Sequence, residues 1–102
     1  MIHVIASVEV KPGQRAAFLA EFHRVVPLVQ AEAGCLAYGP TVDVATGIAV
    51  QVPLRDNVVT IVEQWTDLDA LRAHLATAHM AEYRERVKNL VVRTQLQVLQ
   101  PA

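Results

Sequence analysis

Val58-Val59-Thr60-Ile61-Val62-Glu63-Gln64-Trp65, running straight into Thr66-Asp67-Leu68-Asp69-Ala70-Leu71, is the stretch on which the fold turns. Its first eight residues are rich in β-branched side chains, and strand alternation puts Val59, Ile61, Glu63 and Trp65 on one side, with Val58, Thr60, Val62 and Gln64 opposite. A carboxylate and an indole therefore share a face. Thr66 reads as the N-cap of a following helix, with Asp67 and Asp69 in the first turn, where the positive end of the helix favours acids. Leu68, Leu71 and Leu75 continue at helical spacing. The pattern breaks near Thr77-Ala78 and resumes with Met80, Tyr83, Val87 and Leu90 on one face.

Outward from this unit the chain repeats the same grammar. Ile2, Val4, Ala6, Val8 and Val10 alternate with His3, Ile5, Ser7 and Glu9, which gives a first strand with one wholly apolar face. Lys11-Pro12-Gly13 breaks it, and Phe18, Phe22, Val25 and Val29 predict a first helix over roughly 13–33, kinked rather than stopped by Pro27 and ended by Gly34. Residues 35–44 predict a second strand, with Leu36, Tyr38, Val42 and Val44 on one parity and Gly39-Pro40 as a bulge or bend. Ala45-Thr46-Gly47 is a turn, Ile48 to Val52 a short extended arm, and Pro53 to Asn57 a second turn. A last strand falls at about 91–100. The order strand, helix, strand, strand, helix, strand is that of a split β-α-β α+β fold, an antiparallel sheet covered by helices on one side. Apolar residues on both strand faces lead us to expect a second copy on the open side, the two sheets enclosing a cavity.

At 102 residues with no Gly-, Pro- or Ser-rich divider, residues 1–102 form one domain. A hydrophobic fraction of 53% and a mean hydropathy of +0.29 are high for so small a chain, again pointing to a homodimer. No apolar run approaches the roughly 20 residues that span a bilayer, and the N-terminus has no secretory pattern, so the expected location is the cytoplasm, away from membranes. Nine basic against ten acidic residues, with no basic stripe, argue against a nucleic-acid partner. Cys35 is the only cysteine and reads as a structural thiol. Ser7 is the only serine and sits in no nucleophile elbow; no phosphate-cradling or dinucleotide motif can be written onto four glycines. His74 and His79 lie five apart, about 140° out of phase on a continuous helix of 3.6 residues per turn, unlike an i, i+4 zinc pair. No metal is expected there, and His3 and His23 offer still less.

What remains is a cluster: Glu32-Ala33-Gly34-Cys35-Leu36-Ala37-Tyr38, then Glu63-Gln64-Trp65, then Leu71-Arg72-Ala73-His74, then His79. With the opening Val8-Glu9-Val10-Lys11-Pro12-Gly13, this resembles the antibiotic biosynthesis monooxygenase family and its quinol monooxygenase-like members, whose pattern runs E-x-G-C-x-x-Y, E-x-W, L-x-x-H and a second His. The likeness covers nearly the whole chain; the departure is Thr41 to Asn57, longer than the family's short hairpin. The resemblance implies a ferredoxin-like fold, a dimeric α+β barrel, and oxygenation of electron-rich aromatics by O₂ without metal, flavin or haem. On that reading His74 is the base or hydrogen-bond partner, since an imidazole accepts a proton near neutral pH. Trp65 stacks on the substrate ring and Tyr38 bonds a substrate oxygen, while Glu63 orients His74 or binds substrate and His79 is a second substrate-binding candidate. Each has a plainer alternative: a helix histidine bonded to a carbonyl, a core indole, a cross-strand tyrosine, a surface ion pair. Met80 and Tyr83 read as core. Two other functions suit the same pattern: an isomerase of a small carbonyl compound, and a haem- or ligand-binding module.

Overall fold

The computed structural model describes all 102 residues. It contains β1 (Ile2–Val10), α1 (Arg15–Gln30), β2 (Cys35–Thr41), β3 (Val58–Trp65), α2 (Leu68–Leu75), α3 (Ala78–Val87) and β4 (Val91–Leu99). The strands form one antiparallel sheet in the order β2-β3-β1-β4. This is the ferredoxin-like α+β fold. Val4, Ala6, Val8 and Val10 of β1 and Val59, Ile61, Glu63 and Trp65 of β3 all point to the helix side and are buried, as alternation dictates. Phe18, Phe22, Val25 and Val29 of α1 close over them. The Phe22 ring lies 5.5 Å from that of Tyr38 and meets Tyr83 edge-on at 5.6 Å, so aromatic contacts join α1, β2 and α3.

Several expectations are corrected in detail. α1 runs unbroken through Pro27 but stops at Gln30, and the turn to β2 occupies the next four residues with Gly34 at φ +83°. The irregularity in β2 falls at Leu36, not at Gly39-Pro40: Cys35 pairs with Trp65 and Ala37 with Gln64, leaving Leu36 as the extra residue of a bulge. The bulge separates Leu36 from Tyr38, which share a parity, and turns Cys35 and Tyr38 to the helix side together. β2 ends at Thr41, and residues 42–57 form an irregular loop without the extended arm expected at Ile48 to Val52. Arg55 holds this loop closed by two 2.9 Å bonds from its guanidinium to the Asp43 carboxylate. Asp67, not Thr66, caps α2, accepting from the Ala70 amide at 2.8 Å.

The helices cover only part of the sheet. On β4, Leu96 and Val98 pair with Ala6 and Val4 and so face the helix side, yet they are 49% and 45% exposed because no helix reaches over this edge. The outer face is mixed, with His3, Ser7 and Gln64 among Ile5, Val62 and Leu99. No helix is long and apolar enough to cross a membrane.

Candidate active site

Gly34 begins the site. Its left-handed backbone reverses the chain after Glu32, and its carbonyl accepts from the Thr66 amide at 2.9 Å. A Cβ there would stand 2.6 Å from the Ala70 side chain, so only glycine lets the turn press against the first turn of α2. Glu32 is thereby delivered to the junction of α2 and α3. That junction is a real break: Thr77 caps α3, accepting from the Met80 amide at 3.4 Å while its hydroxyl donates to the His74 carbonyl at 2.8 Å. The break removes the angular offset a continuous helix would impose on His74 and His79. Both histidines reach one oxygen, Oε2 of Glu32, through His74 Nδ1 at 2.9 Å and His79 Nε2 at 2.7 Å.

A carboxylate can only accept, so Nδ1 of His74 carries the proton of the neutral ring and Nε2 keeps its lone pair. No group of the chain bonds Nε2, and the ring lines a cavity next to it. Burial holds His74 below the ordinary imidazole value, against the opposing hydrogen bond and charge of Glu32. The ring is neutral at pH 7. Trp65, fully buried, lies against it with centroids 4.7 Å apart, and Tyr38 meets it edge-on at 5.4 Å.

Next to this ring lies a cavity of ≈ 250 Å³ between the sheet and α2 and α3, with Tyr38, Glu63, His74, Met80, Tyr83 and Leu96 in its wall. Its lining is mostly apolar. The volume falls just under the roughly 300 Å³ at which pockets for drug-sized ligands begin, so it suits a small one. The cavity is on the helix side within one chain, where the covering helices stop short of β4 and leave the gap. Glu63 rises from the sheet into it. One carboxyl oxygen, Oε1, accepts from Trp65 Nε1 at 2.9 Å, and no group of the chain bonds the other. Burial pushes this carboxyl up to about 7; the Trp65 hydrogen bond opposes the rise and the Glu32 charge adds to it. Burial likewise holds the phenols of Tyr38 and Tyr83 in their protonated form, and neither hydroxyl has a partner in the chain.

Of the residues singled out in the sequence, Tyr38, Glu63 and His74 line the cavity, whereas Trp65 and His79 stand behind it. Trp65 supports His74 and Glu63; His79 shares Glu32. Glu32, not Glu63, orients His74. Three residues gain a place that sequence reasoning did not give them: Glu32, present in the quoted motif but assigned no task, and Met80 and Tyr83, read as core. The helical stripe of Met80 and Tyr83 looks the same whether it meets side chains or a void. No three His, Cys, Asp or Glu side chains converge as a metal-binding group. Cys35 is half-buried, and its thiol is pushed up by burial and by the charges of Glu32 and Glu63, which suits a structural thiol rather than a nucleophile.

Known proteins share both sequence and fold. The chain is 44% identical over 103 aligned residues to the Escherichia coli K12 protein named "Probable quinol monooxygenase YgiN", covering 99% of this chain and 98% of that one. Among solved structures, PA3566 of Pseudomonas aeruginosa matches with a TM-score of 0.81 at 26% identity, covering 99% of this chain and 93% of that one. Rv0793 of Mycobacterium tuberculosis matches at 0.79 and 26%, covering 99% and 94%. The family model described as "Antibiotic biosynthesis monooxygenase" matches residues 1–86. Agreement at all three levels makes this chain a member of the antibiotic biosynthesis monooxygenase family.

Proposed function

We propose that this chain oxygenates a small electron-rich aromatic, a quinol or a related phenol, using dioxygen and the substrate's own electrons with no metal, flavin or haem. Membership of a monooxygenase family supports the reaction type, and the relative named as a quinol monooxygenase suggests the substrate class. The observation that carries the reading is the His74 ring, tied through Nδ1 to Glu32 and with Nε2 free beside an apolar cavity.

The chemistry follows from that geometry. A quinol in the cavity gives one phenolic proton to Nε2, and the Glu32 carboxylate stabilises the imidazolium that forms. Tyr38 donates a hydrogen bond to a substrate oxygen. In surroundings poor in water the quinolate passes an electron to O₂, and the two radicals combine at a ring carbon. Overall, quinol plus O₂ gives hydroxyquinone plus water: one oxygen atom enters the ring and the other leaves reduced. Trp65 and His79 act through their neighbours, holding His74, Glu63 and Glu32 in place. Two copies of the chain are also proposed to associate, because eight of the nine β4 residues are exposed, among them Leu96 and Val98 on the helix side that no helix covers.

Oxygen uptake by chelator-treated protein with a panel of quinols tests the proposal. Uptake with matching product is expected, and His74→Ala should lower turnover by roughly 10²-fold or more, the scale of losing a general base. No uptake with any quinol, or an unimpaired His74→Ala protein, would overturn it.

A further inference from the structure

We infer that Glu63 is the acid of the reaction: the proton on its free carboxyl oxygen goes to the departing peroxide oxygen, which leaves as water. This rests on the oxygenation proposed above and extends it to the second oxygen atom. Removing a proton starts the reaction, but breaking the O–O bond needs one delivered, because hydroxide is a poor leaving group in an apolar chamber. Among the carboxyl groups of the chain, only Glu63 is both buried and in the cavity wall. It rises from β3 and His74 comes from α2, and both line the one cavity, so a ring bound there meets a base and an acid.

The local contacts bear on which oxygen holds the proton. Trp65 Nε1 donates to Oε1, and the carbonyl oxygen of a carboxylic acid is its better acceptor, so the contact favours a Glu63 proton on the unpartnered Oε2. The carboxyl, raised to about 7 mainly by burial, is largely protonated at the lower end of the neutral range, while His74 is held below its usual value and is free of its second proton. Two groups whose surroundings push them in opposite directions are what paired acid and base duty requires.

The step balances. The ring peroxide takes back from His74 the proton lost by the quinol. The O–O bond then breaks, the emerging hydroxide takes the Glu63 proton and leaves as water, and the ring C–H proton passes to His74 as its electron pair closes the C=O bond. Return of that proton from His74 to the Glu63 carboxylate by way of the product water resets both groups. Two quinol hydrogens end in water and one oxygen atom in hydroxyquinone. Without the acid, the quinolate radical and superoxide exchange a second electron, giving plain quinone and hydrogen peroxide.

Glu63→Gln tests this, since the amide oxygen can still accept from Trp65 and the carboxyl is already neutral while protonated. Oxygen uptake, hydrogen peroxide release and incorporation of label from ¹⁸O₂ are measured with a quinol that the wild type oxygenates. Support would be a fall of about 10²-fold in hydroxyquinone formation, the usual scale of general acid catalysis, with peroxide becoming the main fate of the O₂ consumed. Labelled hydroxyquinone from Glu63→Gln at wild-type rate, with no added peroxide, would overturn the role and leave the proposed function standing. A wild type that consumes oxygen with no quinol would overturn both. The wild type supplies a second test. The groups facing Glu63 are Tyr38 and Cys35 from β2, Glu32 from the preceding turn, Trp65 beside it, His74 from α2, and Tyr83 and Arg84 from α3. Between pH 6.5 and 8.5 His74 stays neutral and Tyr38, Cys35 and Tyr83 keep their protons, whereas Glu63 loses its own. The peroxide fraction of the wild type should rise across this window and that of Glu63→Gln should not; a flat wild-type ratio would overturn the inference.

Discussion

Glu32 receives two imidazole N–H bonds on one oxygen, and its charge faces the ring that burial keeps neutral. Its effect on His74 has a definite sign. Burial lowers the imidazole and Glu32 pulls it back up, so Glu32→Gln should move the acid limb of the kcat/KM profile to lower pH. It should also lower kcat by about tenfold or more, with KM little changed, because the imidazolium it stabilises is absent in the ground state. A limb that stays in place or moves up would show that the carboxylate does not act on His74. Much of this scale was legible in advance: Tyr38, Glu63 and His74 were all recognised and all meet at the cavity. The division of labour was not, since Glu63 and Glu32 are both acids near the same histidine in any sequence reading. Only distance separates them.

At the scale of elements, alternation and helical spacing predicted the four strands and the helical stretches, with α2 and α3 read as one helix interrupted near Thr77-Ala78, because burial on one face imposes periods of two and 3.6. What escaped prediction depends on single-residue geometry. The Leu36 bulge shifts the register of β2 without a glycine or proline to announce it, and the loop over residues 42–57 carries Val44, Ile48, Val50 and Val52 in positions that imitate a strand. Gly34 is the opposite case, visible as a helix stop but not as the point where two elements touch. Gly34→Ala combines a left-handed backbone that L side chains resist with a 2.6 Å approach to Ala70, so a loss of about 2–4 kcal/mol is expected from the urea midpoint. A change under half that size would mean the turn and α2 can part easily. Partial loss of activity should accompany it, as Glu32 follows the turn.

On the scale of the whole molecule, the sheet is covered at one end and bare at the other. The apolar edge open to the proposed second copy is β4 with its helix-side Leu96 and Val98, beside an outer face that mixes polar and apolar residues. Leu96→Asp combined with Val98→Asp should shift sedimentation from dimer to monomer, because each would place a charge in the buried contact. A wild-type chain that sediments as a monomer at micromolar concentration would refute the association. The pairing of Ala6 with Leu96 also joins the first strand to the last across the cavity floor and rim. The ligand chamber is therefore unfinished until the final segment of chain arrives. Trimming β4, or fusing a bulky tag close behind it, should injure ligand binding directly, although that end of the chain contributes none of the proton-handling side chains.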